Sequence, residues 1–203
     1  MIGIINFGLG NIGSIKNAIE KINEPYFLIN KIEDFSKAKK LILPGVGSFK
    51  IGMKNLINKG FDRMIKKVVN EDKKPILGIC LGMQLLALRG YEDGKNEGLN
   101  LIGGEVKILK KKLKFSLPHI GWNNVTILKK NKILNGIPNE KNFYFVHSYH
   151  FLPEKKEDII AKTNYSEDIN AIVASKNIYG IQAHPEKSQY YGLKLLKNFC
   201  RFC

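Results

Sequence analysis

The chain has 203 residues, of which 44% are hydrophobic and 25% are charged, and its formal net charge is +15. The hydrophobic fraction is sufficient for a buried core and excludes a disordered chain. No apolar run approaches the roughly 20 residues that a membrane span needs, and the first residues lack a basic segment followed by an apolar one. We therefore expect a cytoplasmic protein with no membrane partner.

The high positive charge does not indicate a nucleic-acid-binding protein. The lysines are spread along the whole chain, and the densest runs, Lys110–Lys112 and Lys129–Lys130, lack the interleaved aromatic residues on which single strands stack. Solvated lysine faces are the simpler interpretation, with no nucleic-acid partner. The charge could still attract a phosphorylated substrate or an acidic partner surface.

The cysteines and histidines suggest neither a metal site nor a disulfide framework. Cys200 and Cys203 form a C-x-x-C, but a zinc site needs two further ligands at suitable spacing, and the four histidines lie singly. An odd number of cysteines also argues against disulfide pairing. We predict no metal and no cofactor, with two thiols on a terminal helix.

In the first half of the chain, short apolar runs alternate with segments of helical periodicity. The uniformly apolar runs are typical of buried parallel strands: Ile2–Phe7, Tyr26–Asn30, Leu41–Leu43 and Pro75–Cys80. Two intervening segments place their apolar residues on one helical face: Asn11–Ile22 and Gly52–Val69.

The second half of the chain is dominated by strand-like segments. They are Glu105–Leu109, Asn123–Leu128, Phe143–Phe151, Ile159–Thr163 and Ala171–Ala183, and an amphipathic helix follows from about Ser188 to Phe202. The pattern predicts an α/β fold with a central, mostly parallel sheet flanked by helices and an added β-rich segment. Since no linker divides the chain, residues 1–203 are predicted to form one domain.

A glycine-rich loop near the N-terminus matches a dinucleotide-binding pattern. Gly8–Gly13 satisfies G-x-G-x-x-G between a strand and a helix, and Glu33 or Asp34 could bind a ribose. The second strand, however, ends in Asn30-Lys31 before any acidic residue appears. A tight turn is therefore favoured, and a non-catalytic nucleotide-binding module is kept as an alternative.

The segment around Cys80 has the pattern of a reactive cysteine. A predicted strand runs directly into Cys80, a helix begins after it, and Gly78 and Gly82 lie two residues to either side. Such small residues permit the sharp strand-to-helix turn of a nucleophile elbow, and a helix N-terminus favours the thiolate. Taken alone, the pattern fits a buried structural cysteine equally well.

A histidine near the other end of the chain favours the catalytic interpretation. His184 follows an apolar run and precedes Glu186 by two residues, so that it could act as a base oriented by a carboxylate. The peptide units of Gly45-Val46-Gly47 and the N–H of Leu81 could stabilise the oxyanion of an acyl-transfer reaction. The sequence thus contains a nucleophile, a base and an orienting acid in Cys80, His184 and Glu186.

These motifs resemble the class I, or triad, glutamine amidotransferases. The similarity narrows to the glutaminase subunits of imidazole glycerol phosphate synthase and extends from the first strand to the last helix. It is carried by the segments GICLGMQ, LPGVG, PHIGWN, YFVHSY and HPEKSQ, together with FGLGN near the N-terminus.

The resemblance implies an activity and a partner. L-glutamine would be hydrolysed here and ammonia passed through a (β/α)₈-barrel cyclase subunit, giving imidazole glycerol phosphate and an aminoimidazole carboxamide ribotide in histidine biosynthesis. A paralogue that feeds ammonia to a nucleotide-sugar amidotransferase is the alternative within the same class.

The resemblance also assigns residues by position. Val46 and Leu81 would donate N–H groups to the oxyanion, with a flip of the Val46 peptide as the activating switch. Glutamine's backbone groups would be held by Gly47, Gln84, Glu92, Ser148 and Tyr149, and Tyr144 with Lys187 would gate ammonia at the subunit interface. Two residues depart from the family pattern: Gly103, where proline is usual, and Ala183, where phenylalanine is usual.

Overall fold

The computed structural model describes residues 1–203 as 13 β-strands, five α-helices and short 3₁₀ turns. The strands are β1 (Ile2–Ile5), β2 (Tyr26–Ile29), β3 (Lys40–Gly45), β4 (Ile76–Cys80), β5 (Arg89–Gly90), β6 (Asn96–Glu97), β7 (Gly104–Ile108), β8 (His119–Ile127), β9 (Lys141–His147), β10 (Tyr149–Pro153), β11 (Ile159–Asn164), β12 (Asp168–Ser175) and β13 (Ile178–Ile181). The helices are α1 (Ile12–Lys21), α2 (Phe49–Asn58), α3 (Phe61–Asn70), α4 (Leu81–Leu85) and α5 (Gln189–Phe202).

Nine strands form one large mixed sheet in the order β2-β1-β3-β4-β13-β12-β11-β8-β9. The strands from β2 to β13 are parallel to their neighbours, and those from β12 to β9 are antiparallel. The predicted α/β class is confirmed, and most of the β-rich second half extends the central sheet. None of the five α-helices combines the length and the apolar character that a membrane-spanning helix needs.

A smaller sheet of four strands, in the order β10-β7-β5-β6, packs beside the large one. The two sheets share a chain connection at Ser148, the single residue between β9 and β10. β9 pairs with β8 in the large sheet, whereas β10 pairs with β7 in the small sheet. The chain therefore changes sheets at this residue.

The large sheet is covered on both faces by buried apolar side chains. One cluster joins α1 and α5 to the sheet through residues such as Ile15, Ile19 and Phe199. The other joins α2, α3, α4 and the small sheet through Phe49, Ile65 and Phe151. Burial on both faces explains why the parallel strands are uniformly apolar in sequence.

Three predicted segments are each divided in the structure. The single helical stretch Gly52–Val69 is wrong, because Gly60, with a φ of 68°, ends α2 and begins α3. The strand Phe143–Phe151 is wrong because the chain changes sheets at Ser148. Ala171–Ala183 is a hairpin in which Lys176, with a φ of 54°, lies in the turn between β12 and β13.

Candidate active site

Three neighbouring parallel strands bring the candidate catalytic segments to one edge of the large sheet. β4 lies between β3 and β13, with Gly45 opposite Cys80 and Ile79 opposite Ile181. The carboxyl ends of these strands therefore meet, which is the common location of ligand sites in open α/β sheets. The residues that follow the strands include Val46, Leu81 and His184.

Cys80 lies at a strained turn between β4 and α4, with a φ of 51° and a ψ of −110°. A Cβ atom at Gly82 would lie 1.7 Å from the carbonyl oxygen of Leu43, and one at Gly78 would lie 2.6 Å from the carbonyl oxygen of Gly82. Both positions thus require glycine for packing reasons. Backbone strain at a non-glycine residue is typical of functional sites, and here it projects the thiol from the sheet edge.

The side chains of His184 and Glu186, which the sequence places two residues apart, are in direct contact. Nδ1 of His184 lies 2.8 Å from Oε1 of Glu186, and the two side chains are only 3% and 2% exposed. Burial opposes the charged imidazole, but attraction to the side chains of Cys80 and Glu186 outweighs it and raises the pKa of His184 from 6.5 to about 10. Nε2 of His184 is buried without a hydrogen bond, so this nitrogen is free for proton transfer.

The backbone of His184 is fixed by contacts with β9 and the following turn. Its N–H donates to the carbonyl oxygen of Tyr144 at 2.8 Å, and its own carbonyl accepts from the hydroxyl of Ser188 at 2.6 Å. That hydroxyl also accepts the N–H of Tyr144 at 3.0 Å. Ser188 therefore joins the turn that carries His184 to the strand beside it.

The candidate oxyanion segment, Gly45–Gly47, follows β3 at the same edge of the sheet as Cys80. Neither the N–H of Val46 nor that of Gly47 has an acceptor within the protein. Gly47 has a φ of 106°, a backbone conformation that favours glycine. The side chain of Val46 is partly exposed, at 41%. Gly45 approaches α4 so closely that a Cβ there would lie 2.9 Å from Cβ of Leu81. The segment therefore has free donors close to Cys80, as the stabilisation of an oxyanion requires.

A cavity of about 560 Å³ lies in front of Cys80. Nine of its 13 lining residues were assigned a role from the sequence or from the family resemblance, and the other four are Ser48, Pro118, Val146 and His147. Its lining residues are Val46, Gly47, Ser48, Cys80, Leu81, Gln84, Glu92, Pro118, Val146, His147, Ser148, Tyr149 and His184.

Gln84 and Glu92 line this cavity while making internal hydrogen bonds. The side-chain nitrogen of Gln84 donates to the carbonyl oxygen of Tyr149 at 2.9 Å and to the side chain of Gln182 at 3.2 Å. Oε2 of Glu92 accepts the N–H of Phe49 at 2.7 Å, at the start of α2. Burial raises the pKa of the Glu92 carboxyl above its usual value. Both side chains are thus held in fixed positions.

Tyr144 and Lys187 lie together but outside the cavity. Nζ of Lys187 lies 5.6 Å from the centre of the Tyr144 ring, a cation–π geometry, and Trp122 packs edge-on against the same ring. Lys187 is exposed. Tyr144 contacts His184 through the backbone, and neither Tyr144 nor Lys187 lines the cavity.

Sequence reasoning missed three side chains around the site. Gln182 is fully buried and its Nε2 lies 3.7 Å from Sγ of Cys80. His147 lines the cavity, and His119 lies 3.1 Å from it through their ring nitrogens. A polar residue within the apolar run before His184 was a usable signal for Gln182. No sequence signal joins His119 to His147, which are 28 positions apart.

The glycine-rich loop has the geometry of a tight turn. Gly8 and Gly10 have φ values of 89° and 128°, and a Cβ at Gly13 would contact nothing within 4 Å. The third glycine of a dinucleotide loop is needed for close helix–strand packing, which is lacking here. Asp34 accepts the N–H groups of Asn30 and Lys31 and so serves its own turn. These contacts support the tight-turn interpretation.

The other discounted features lie in separate parts of the molecule. No group of three potential metal ligands occurs. Cys200 and Cys203 lie at the end of α5, and burial raises the pKa of the Cys200 thiol to about 12. Of the two departures from the family pattern, Gly103 lies in the loop before β7, and Ala183 is fully buried beside His184.

An elbow cysteine, a His–Glu pair and free backbone donors at one sheet edge define a cysteine acyl-transfer site. Residues 4–202 match the family model for class-I glutamine amidotransferase. The chain is 48% identical to imidazole glycerol phosphate synthase subunit HisH 1 of Campylobacter jejuni, over 99% of this chain and 100% of that one. It is 46% identical to HisH 2 of Methanococcus maripaludis, over 99% of each chain.

A solved structure supports the fold independently. PurLQS from Thermotoga maritima matches with a TM-score of 0.71 and 18% identity, covering 98% of this chain and 96% of that one. The chain belongs to the class-I glutamine amidotransferase family, among the HisH subunits of imidazole glycerol phosphate synthase.

Proposed function

We propose that the chain is the glutaminase subunit of imidazole glycerol phosphate synthase. It hydrolyses L-glutamine to glutamate and ammonia, and a cyclase subunit uses the ammonia in histidine biosynthesis. The observation that carries the proposal is the cavity in which Cys80, His184 and the free donors of Val46 and Gly47 meet. Full-length similarity to HisH subunits supports the histidine pathway over a nucleotide-sugar acceptor.

The first half-reaction forms a thioester. The Cys80 thiolate attacks the carboxamide carbon of glutamine, and the N–H groups of Val46 and Leu81 stabilise the resulting oxyanion. The imidazolium of His184 gives its Nε2 proton to the leaving nitrogen, so that the C–N bond breaks and ammonia departs. Glu186 holds Nδ1 throughout and stabilises the charged ring.

The second half-reaction restores the Cys80 thiolate and the charged His184 ring. A water molecule takes the place of ammonia, and Nε2 of His184 removes its proton as the oxygen attacks the thioester carbon. The carbon–sulfur bond then breaks, and glutamate leaves. Gly47, Gln84, Glu92, Ser148 and Tyr149 hold the amino-acid end of glutamine, as their positions around the cavity support.

We also propose the partner as a (β/α)₈-barrel cyclase subunit in a cytoplasmic heterodimer. Tyr144 and Lys187 would lie at the interface and control the ammonia route, which their location behind the His184 backbone supports. A flip of the Val46 peptide, permitted by the neighbouring Gly47, would switch the oxyanion site on when the partner binds its ligand. Residues 1–203 would act as one glutaminase domain, supported by the continuous nine-strand sheet.

Cysteine substitutions test the proposal. In the complex with the cyclase subunit, Cys80→Ala should reduce glutamate release from glutamine to background, because no other side chain can form the thioester. Cys200→Ala is the matched control, since this thiol is buried at the end of α5 and should leave activity unchanged. Residual hydrolysis near the wild-type rate in Cys80→Ala would refute the assignment.

A further inference from the structure

Two buried histidines outside the triad form a hydrogen-bonded chain that ends in the wall of the glutamine cavity. His119 of β8 and His147 of β9 are directly opposite each other in the antiparallel ladder. Nδ1 of His119 lies 3.1 Å from Nε2 of His147, and Nδ1 of His147 lies 2.9 Å from the carbonyl oxygen of Tyr149. The ring of His119 also stacks with the rings of Phe145 and Tyr165.

The hydrogen bonds permit one arrangement of protons in the pair. Since the Tyr149 carbonyl only accepts, Nδ1 of His147 carries a proton, and Nε2 of a neutral ring is then the acceptor. Nδ1 of His119 must therefore carry a proton as well, and its Nε2 faces the amide nitrogen of Asn123 at 3.4 Å. Burial lowers the pKa of His119 to about 4 and that of His147 to about 3, so both rings are neutral at physiological pH.

This arrangement excludes His147 from proton transfer although it lines the cavity. Both of its ring nitrogens are engaged within the protein, one as a donor and one as an acceptor. His184 is the contrasting case, with one buried nitrogen left free. The chain thus uses two histidines for structure beside the one that can act as a base.

The chain of hydrogen bonds fixes the segment where the backbone changes sheets. The Tyr149 carbonyl accepts from His147 and also from the side chain of Gln84 at 2.9 Å. The carbonyl of the adjacent Ser148 accepts the N–H of Leu109 at 2.9 Å. Ser148 belongs to neither sheet, so these bonds set the orientation of the peptide groups that face the cavity.

We propose that His119 and His147 are positioning residues that hold Ser148 and Tyr149 in the conformation that binds the amino-acid end of glutamine. This inference rests on the proposed function. The pair touches the backbone of the binding wall and is separate from the proton-transfer pair of His184 and Glu186. Its loss should therefore change the affinity for glutamine more than the rate of the chemical step.

The test compares two substitutions of His119 in the complex with the cyclase subunit. His119→Phe keeps an aromatic ring but removes the donor to His147, and should raise the KM for glutamine about tenfold with kcat changed less than about twofold. His119→Asn places an amide nitrogen near the position of Nδ1 and should restore the KM to within about twofold of wild type. Equal KM values for Phe, Asn and wild type would overturn the proposal, as would a fall in kcat alone.

Two further measurements keep the proposal testable if His119→Phe fails to fold. Nitrogen-15 NMR of the wild-type rings should show protons on Nδ1 of both His119 and His147; a proton on Nε2 of either would overturn the arrangement. Labelling of Cys80 by 6-diazo-5-oxo-L-norleucine, a glutamine-like electrophile, distinguishes a failure of the proposed glutaminase function from a failure of the histidine-pair proposal. If the wild type is not labelled, the proposed function is contradicted. If His119→Asn and the non-donating His119→Leu are labelled with the same half-saturating concentration of the reagent, only the proposal for the histidine pair is contradicted.

Discussion

The large sheet has a parallel half, from β2 to β13, and an antiparallel half, from β12 to β9. The two halves contribute to the site in different ways. The parallel half carries the two residues proposed to take part in the chemistry: Cys80 is the last residue of β4, and His184 follows β13. The antiparallel half contributes His119 and His147, whose contacts hold the cavity wall. The groups proposed to make and break bonds thus lie on short local motifs, whereas the groups proposed to hold the cavity wall depend on pairing between distant strands.

The largest effect should come from the tight turn of the parallel half. Gly82→Ala places a Cβ 1.7 Å from the carbonyl oxygen of Leu43. We expect a loss of about 3 kcal/mol or more in the free energy of unfolding, together with loss of glutaminase activity. Urea unfolding and glutamate release are the measurements.

Gly13→Ala is the matched control for this substitution. Gly13 lies in α1, and a Cβ there would contact nothing within 4 Å. Alanine should therefore be neutral or add about 0.5–1 kcal/mol through its helix propensity. If Gly82→Ala were as stable and as active as Gly13→Ala, the packing account of the elbow would be wrong.

An intermediate effect on activity is expected at Lys187 and Tyr144, where the parallel and antiparallel halves of the sheet meet. Lys187→Ala should leave glutamine hydrolysis in the complex but reduce the share of ammonia that reaches the product, because the residue would gate the route. The ratio of glutamate formed to imidazole glycerol phosphate formed measures this coupling.

Lys59→Ala provides the control for Lys187→Ala. Nζ of Lys59 lies 5.6 Å from the ring centre of Phe61. The Lys59→Ala variant therefore loses the same kind of cation–π contact as Lys187→Ala, but at a position away from the cavity. Its product ratio should equal that of the wild type. An unchanged ratio in Lys187→Ala would remove this residue from the proposed gate.

The smallest effect concerns the antiparallel half and its response to acid. The pKa of His119 is lowered to about 4 in the folded state by burial, so the unfolded chain, with a pKa near 6.5, binds more protons below that value. Stability from the neutral ring is present above pH 6.5 and is lost as the pH falls towards 4. The free energy of unfolding should therefore fall less steeply in His119→Asn than in the wild type.

Urea unfolding between about pH 7 and about pH 5 measures this difference. Subtraction of the two curves removes the contribution of the carboxyl groups that both proteins share. Parallel curves would show that His119 titrates alike in the folded and unfolded chains, and would contradict its buried neutral state.

The features of the fold and of the site that could be predicted from the sequence are the local ones. The elbow of Cys80 and the pair His184–Glu186 are local, because a turn between a strand and a helix constrains residues only two positions away. The uniformly apolar strands and the helix α5 were likewise readable from periodicity. The α/β class and the meeting of the three strand ends follow from these elements.

The remaining features depend on contacts that no spacing reveals. The change of sheets at Ser148 divides a continuous strand-like run because β9 and β10 pair with different partners. His119 meets His147 only through the register of β8 with β9. Gly60 could have been identified as a helix break, since glycine after a helical turn often takes a left-handed conformation.

The most direct test of the central claim is a glutaminase assay of this chain alone and with its cyclase subunit. Glutamate release should be near background for the isolated chain and should rise by about 10²-fold or more when the subunit and its ligand are added, because the oxyanion donors are then set. Cys80→Ala should stay at background in both conditions. Full activity of the isolated chain would contradict the partner-dependent switch, and no activity in either condition would contradict the glutaminase itself.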